Sequence, residues 1–242
     1  MISVSSLEKG HGGRTLFRDV SFRLLPGRRI ALVGGNGVGK TTILEIVVGH
    51  QRADAGEVHR TKDLTVGYLP QDLTDEVNDT VLAHVMAGAG ELAGMEEELR
   101  SLEADMASPD AAKAEAALDA YGEISTRFEA AGGYQLEAEA QRVLAGLGFK
   151  PSDANRSVSE LSGGWRMRAT LGQLLLAKPE VLVLDEPTNH LDVDSVTWLE
   201  EQLAAWPGSI LFVSHDRDFI DAVAERVLEV VGGGATEYVG GF

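Results

Sequence analysis

The sequence predicts an α/β fold built on a mostly parallel sheet, with a helical region set into the middle of the chain, and three observations predict it. The apolar runs Ile30-Ala31-Leu32-Val33, Val181-Leu182-Val183-Leu184 and Ile210-Leu211-Phe212-Val213 lack the alternation of a half-buried strand, so they read as strands covered on both faces. A glycine-rich turn and an apolar helix follow the first, and helical stretches precede the other two, which is the strand-and-helix alternation of a parallel sheet. From about Asp79 to Leu147 the pattern becomes helical.

Taken in order, Ile2 to Leu7, Val20 to Leu24, Arg29 to Val33 and Leu64 to Leu69 are short β-rich runs bounded by Gly and Pro, and read as strands. Lys40 to Val48 reads as a helix. Within the middle region Leu92, Met95, Leu99, Leu102 and Met106 are spaced 3, 4, 3, 4. Ala114, Ala117, Tyr121, Ile124, Phe128 and Ala131 resume that spacing after a break at Ser108-Pro109. Two helices folded back on each other satisfy this, each about 25 Å long at 1.5 Å per residue, with Gly132-Gly133 ending the second. Such a pair is either part of a larger helical subdomain or a projecting hairpin that touches a partner.

Bulk properties narrow the function. A chain of 242 residues with 44% hydrophobic content can bury a full core. No stretch approaches the roughly 20 apolar residues that span a bilayer, and the start lacks a basic region followed by an apolar run, so a cytoplasmic protein without membrane insertion is expected. With no cysteine there are no disulfides or thiolate metal sites. A formal charge of -17 opposes non-specific attraction to nucleic acid. Residues 91 to 131 hold 11 acidic and 3 basic side chains, which is either a solvated helical face or a partner surface.

Chemistry enters at Gly34-Gly35-Asn36-Gly37-Val38-Gly39-Lys40-Thr41, which matches G-x-x-x-x-G-K-[ST] and follows a buried strand, as that phosphate-binding loop requires. Its glycines let backbone N–H groups curl round phosphates, and the following helix adds its positive end to the anion site. Lys40 supplies a mobile charge for the β- and γ-phosphates, Thr41 a hydroxyl for Mg²⁺, and Thr42 reaches an inner phosphate. Asp185 and Glu186 end a buried strand, where an open parallel sheet presents groups to its ligand crevice. Asp185 is expected to hold Mg²⁺, largely through water, and Glu186 to polarise the water that attacks the γ-phosphate. His215 follows the next buried strand, within reach of the γ-phosphate, and Gln71 ends another strand with an amide oxygen for Mg²⁺ or water.

Leu161-Ser162-Gly163-Gly164-Trp165-Arg166-Met167-Arg168 resembles the signature sequence of ABC ATPases. Ser162 can cap the helix beginning near Gly163, and the glycines expose amides to an anion. With the phosphate loop, Gln71, Asp185-Glu186 and His215 in the family's order, the resemblance spans residues 1 to 238. It implies a P-loop NTPase fold of the ABC nucleotide-binding type, with an antiparallel β edge and a helical subdomain bearing a hairpin arm. On that pattern residues 1-242 form one ABC ATPase domain, with an α/β core over 1-78 and 148-242, a helical region over 79-147 and an arm at about 91-131. The run Asp185-Glu186-Pro187-Thr188-Asn189-His190-Leu191-Asp192 and Trp165 after the two glycines are similar to the ABC-F version.

The resemblance implies Mg-dependent ATP hydrolysis, with Ser162, Gly163 and Gly164 binding the γ-phosphate held by an opposing domain. A second ABC domain, in the same chain or in a homodimer, is therefore an expected partner. In several ABC-F proteins the arm contacts the ribosome, so the resemblance also implies rRNA or a ribosomal protein as partner, with this chain acting as a translation factor or in ribosome protection against antibiotics. The ATPase subunit of an ABC transporter, and an assembly or DNA-associated ATPase, are the alternatives. His11 stands where the family usually stacks an aromatic residue on adenine. Tyr238-Val239-Gly240-Gly241-Phe242 is similar to the stretch before a second ATPase domain, which implies a piece of a twin-domain protein.

Overall fold

Strand pairing sorts the chain into two sheets. The computed structural model describes residues 1–12, 14–73 and 78–241. In chain order they form β1 (Ile2–His11), β2 (Arg14–Leu24), β3 (Arg29–Gly34), α1 (Lys40–Val48), β4 (Ala55–Arg60), β5 (Val66–Leu69), α2 (Val81–Met86), α3 (Glu91–Met106), α4 (Ala111–Ala130) and α5 (Leu136–Gly146). Then come α6 (Gly163–Ala177), β6 (Val181–Asp185), α7 (Val193–Ala204), β7 (Ser209–Val213), α8 (Arg217–Val223), β8 (Arg226–Val231) and β9 (Gly234–Val239). The main sheet has the order β5-β6-β7-β3-β8-β9, parallel except where β9 runs antiparallel to β8. A separate antiparallel sheet has the order β2-β1-β4.

The lack of alternation in the central strands now has its cause. Ala31, Val33, Leu182, Leu184, Ile210 and Phe212 face one core, shared with α2 and α5 to α8. Ile30, Leu32, Val181, Val183, Leu211 and Val213 face a second core, shared with α1 and the small sheet. Both faces are covered, so neither residue parity is polar. The parallel register places Leu32 and Asp185 each opposite Val213, which aligns the carboxyl ends of β3, β6 and β7 at one edge.

Some extents differ from expectation. β1 runs on to His11 and β2 starts at Arg14, because both continue through bulges where Ser6 (φ 48) and Asp19 (φ 56) adopt left-handed backbone. The hydroxyl of Ser6 donates to Asp19 at 2.7 Å, which holds the two bulges against each other. Strands β4, β8 and β9 were not foreseen. β4 and β9 are exposed along most of their length and carry no apolar alternation.

The middle helices form the expected antiparallel pair. Asp110 caps α4, its carboxylate accepting from Ala112 N–H at 3.0 Å, and Gly132 (φ 78) follows its end. At 16 and 20 residues, α3 and α4 are about 24 and 30 Å long, so the second exceeds the expected length. Leu99, Ile124 and Phe128 form the buried seam, with Leu92, Met95, Leu102 and Tyr121 beside them. Met106 and Ala131, assigned to the seam by spacing, are exposed. No helix among the described residues is long and apolar enough to cross a membrane.

Candidate active site

The loop between β3 and α1 has its shape fixed by close packing. Gly34 has φ 151, and a Cβ there would lie 2.5 Å from the Val230 carbonyl oxygen on β8. Gly39 has φ 96, and a Cβ would lie 2.8 Å from the Phe17 ring. A side chain at either position would force the loop away from the sheet. α1 begins directly after Gly39 with no side-chain cap and no acidic residue in its first turn, so its leading N–H groups remain available to an anion. Lys40, only 8% exposed, folds back so that Nζ donates to the Gly34 carbonyl at 2.9 Å and the Gly35 carbonyl at 3.2 Å. The ammonium thus holds the loop open around a site for negative charge.

A cleft of about 500 Å³ lies over this loop. Asn36, Gly37, Gly39, Lys40, Thr41 and Thr42 line it together with Gln71, Asp185, Glu186 and His215. The structure adds Leu16, which carried no motif signal, and brings in Asn189 from the Asp185-to-Asp192 run, to which no site role was assigned. Val38 lines a neighbouring cleft with Gly37, Thr15 and Leu16. His11, at the end of β1 opposite Arg14, lines neither cleft; Gly13 beside it and Phe242 at the far end lie outside the described residues.

Asp185 is the most buried charge in this cleft, at 2% exposure, and neither carboxylate oxygen has a hydrogen-bond partner. Burial pushes its pKa up, while the nearby Thr41 hydroxyl and Lys40 ammonium pull it down without completing a hydrogen bond to it. Two orphaned oxygens beside a threonine hydroxyl and above a phosphate loop are the hard donor set that suits a magnesium ion. Among the described residues no group of three or more His, Cys, Asp and Glu could hold a metal.

Glu186 takes left-handed backbone (φ 51), and its N–H donates to the Val213 carbonyl at 3.0 Å, tying the turn after β6 to β7. Its carboxylate accepts from the His215 N–H at 3.2 Å and lies 3.3 Å from His215 Nε2. Burial is the main cause that raises its pKa, and Asp185 adds to it, whereas His215 and Lys40 oppose. A carboxylate moved upward toward neutrality is better matched to accept a proton from water.

Ser162 and the two glycines after it stand apart from this cleft. Ser162 occupies the N-cap position of α6, but its side chain makes no capping hydrogen bond, which corrects the expected cap. Its hydroxyl is left exposed beside the first amides of the helix. None of Ser162, Gly163 and Gly164 lines the phosphate-loop cleft, so one chain does not bring its own signature onto its own phosphate site.

A phosphate loop on a buried parallel strand, with an Asp-Glu pair at the end of the strand one removed from it in the same sheet, defines a P-loop ATPase. The family model described as ABC transporter matches residues 17–189, which takes in the loop, Gln71, the signature and Asp185 to Asn189, and the chain belongs to that family as an ABC ATPase domain. Its relatives are ABC-F proteins. It is 40% identical over 242 residues to the putative ATP-binding protein YdiF of Bacillus subtilis, covering 100% of this chain and 38% of that protein. It is 39% identical to the tylosin resistance ATP-binding protein TlrC of Streptomyces fradiae (100% of this chain, 44% of that protein). It is 36% identical to the energy-dependent translational throttle protein EttA of Mycobacterium tuberculosis (99% and 42%). The chain therefore spans less than half the length of these relatives. Among solved structures, the ATP-binding subunit of an ABC transporter superposes with a TM-score of 0.69 at 18% identity, covering 99% of this chain and 90% of that one. A dimeric ATP-binding cassette in a post-hydrolysis state with ADP and Pi gives 0.65 at 18% identity, covering 99% and 98%. At that identity the likeness is one of fold.

Proposed function

We propose that this domain binds Mg·ATP in the phosphate-loop cleft, hydrolyses it within a sandwich formed with a second ABC domain, and thereby times the binding of a ribosome. The observation that carries the first step is the presence of Lys40, folded back on the phosphate loop, and the orphaned carboxylate of Asp185 in the same cleft. Thr41, Asp185 and Gln71 would hold Mg²⁺, directly or through water. When bound, the ion supplies neutralisation of the charge on the β- and γ-phosphate oxygens. Lys40 then exchanges a carbonyl partner for a phosphate oxygen. Glu186 orients and deprotonates the attacking water, and His215, held 3.3 Å from Glu186, steadies the γ-phosphate side of the site.

Support for the sandwich comes from the signature turn, whose free amides and Ser162 hydroxyl lie outside the chain's own cleft and would meet the nucleotide of an opposing domain. Because curated relatives are more than twice as long, the second domain is proposed to follow in the same polypeptide, with this one as the first. The translational role rests on the ABC-F relatives, whose names speak of translational throttling and of tylosin resistance. ATP would hold the closed form on its partner and hydrolysis would release it, by differential affinity for the two states. The α3–α4 hairpin, net negative over residues 91 to 131, is the proposed partner surface, suited to a basic protein face or to magnesium-bridged RNA more than to bare RNA.

Glu186→Gln should lower turnover about 10²- to 10⁴-fold, some 3 to 5 kcal/mol, and leave ATP affinity largely intact. In the full-length protein the same variant should sediment with ribosomes only when ATP is present. Unchanged turnover would remove Glu186 from its role, and ATP-independent sedimentation behaviour would remove the ribosome.

A further inference from the structure

Asp185 has a neighbour with the complementary want. The hydroxyl of Tyr68 is buried and has no hydrogen-bond partner in the protein, as is true of both Asp185 oxygens. A phenol hydroxyl taken out of water ordinarily finds a partner, because the unmade bond costs stability. Tyr68 lies on β5 and Asp185 on β6, the strand paired with it. The register sets Tyr68 opposite Val183, and Asp185 follows two residues on, so the two side chains project from the same face of the sheet. Residues in that diagonal relation stand about 7 Å apart, within reach of an aromatic side chain.

That face is the one covered by α1. Val66 and Tyr68 pack on the core that contains Val181, Val183 and the buried side chains of α1. His50, just past the end of α1, meets the Tyr68 ring edge-on with centroids 5.3 Å apart, which fixes the ring. Burial pushes the Tyr68 pKa up, and the charges of Asp185 and then of Glu45 on α1 push it the same way, so the hydroxyl keeps its proton and stays a donor. Of the two carboxylates, Glu45 already accepts from Gln51 Nε2 at 3.1 Å, whereas Asp185 accepts from no protein group. No direct hydrogen bond joins Tyr68 to Asp185, and a water between them would have the phenol, the carboxylate and the nearby Thr41 hydroxyl as partners, enough to order it.

We infer that Tyr68 is a positioning residue for the metal site: its hydroxyl donates, through one ordered water, to the Asp185 carboxylate and holds it in the orientation that Mg²⁺ requires. The inference rests on the reading of Asp185 as a magnesium ligand. One water occupies one acceptor position of a carboxylate, so most of the desolvation of Asp185 stays in place.

The test is Tyr68→Phe in this chain, which keeps the ring and removes only the donor, read by calorimetry of ATP binding in EDTA and across a magnesium titration, and by thermal melts without nucleotide. Affinity for ATP in EDTA should stay within about twofold of the parent's, while the Mg²⁺ concentration that half-saturates the ATP complex should rise about tenfold or more. The variant should melt about 2–4 °C below the parent, and that loss should shrink by about half in an Asp185→Asn background, where the bridge loses its charge-assisted bond. An unchanged magnesium requirement would overturn the positioning role, as would an equal weakening in EDTA. A variant that melts at or above the parent, or that loses as much in the Asp185→Asn background, would overturn the bridge. A parent chain whose ATP binding ignores magnesium would overturn the metal reading of Asp185 instead, and the melts would still decide whether the bridge exists.

Discussion

A carboxylate with both oxygens buried and unpartnered, as in Asp185, works against the fold that holds it. Its raised pKa fixes the sign of the effect. Below the ordinary carboxylate range the group is protonated in folded and unfolded chains alike, and the cost is absent. As pH rises through the raised value the folded chain must carry a desolvated charge, so stability is lost upward in pH. Asp185→Asn should therefore melt about 2–4 °C above the parent near neutral pH without nucleotide, with the gap closing toward mild acid. Thermal melts from pH 4 to 8 check this, and a constant gap would contradict it. Asp192 has the opposite sign: the Ser195 amide and Arg168 hold it down to about 2, so its contribution is present above the ordinary carboxylate range and is lost as pH falls from that range through the lowered value. At this scale Lys40, Thr41, Asp185, Glu186 and His215 were legible because each stands at a fixed place in a motif, and the structure gathers them round one cleft. The left-handed backbone of Glu186 and the burial of Arg168 were not legible, since both depend on the return of the chain to the same edge of the sheet.

At the level of elements, the α3–α4 hairpin has a seam of its own, in which Phe128 packs with Leu99 and Ile124. Gly133 sits against that ring so closely that a Cβ would lie 2.3 Å from it. Phe128→Ala removes the largest side chain of the seam and should cost about 3–5 kcal/mol of hairpin stability. The cleft shares no residue with this seam, so ATP affinity should stay within about twofold. Hydrogen exchange along α3 and α4 with a parallel ATP titration would check both halves, and an equal loss of nucleotide binding would contradict the separation. The hairpin was legible from its 3-4 spacing because each helix has one buried stripe. The small sheet was only half legible: Ile2 and Val4 bury against the second core, while β4 pairs through backbone and shows little apolar side chain. Backbone pairing leaves no mark in a pattern of side chains.

For the molecule as a whole, the two cores on either face of the parallel sheet make the β3, β6 and β7 ends a rigid platform, and every proposed chemical step takes place on that edge. The fold class followed from three apolar runs because a doubly covered sheet needs them. Partner and timing lie beyond a single domain, since the signature turn lines no part of the phosphate-loop cleft in its own chain. The central claim is that backbone amides, the Lys40 ammonium and the Asp185 carboxylate form a nucleotide-triphosphate site. Isothermal calorimetry of the folded chain with Mg·ATP tests it most directly. The account predicts saturable heat with about one site per chain, lost or weakened at least about tenfold in Lys40→Ala, where one phosphate-directed charge is gone. No heat of association in the parent, or identical isotherms for the two proteins, would contradict it.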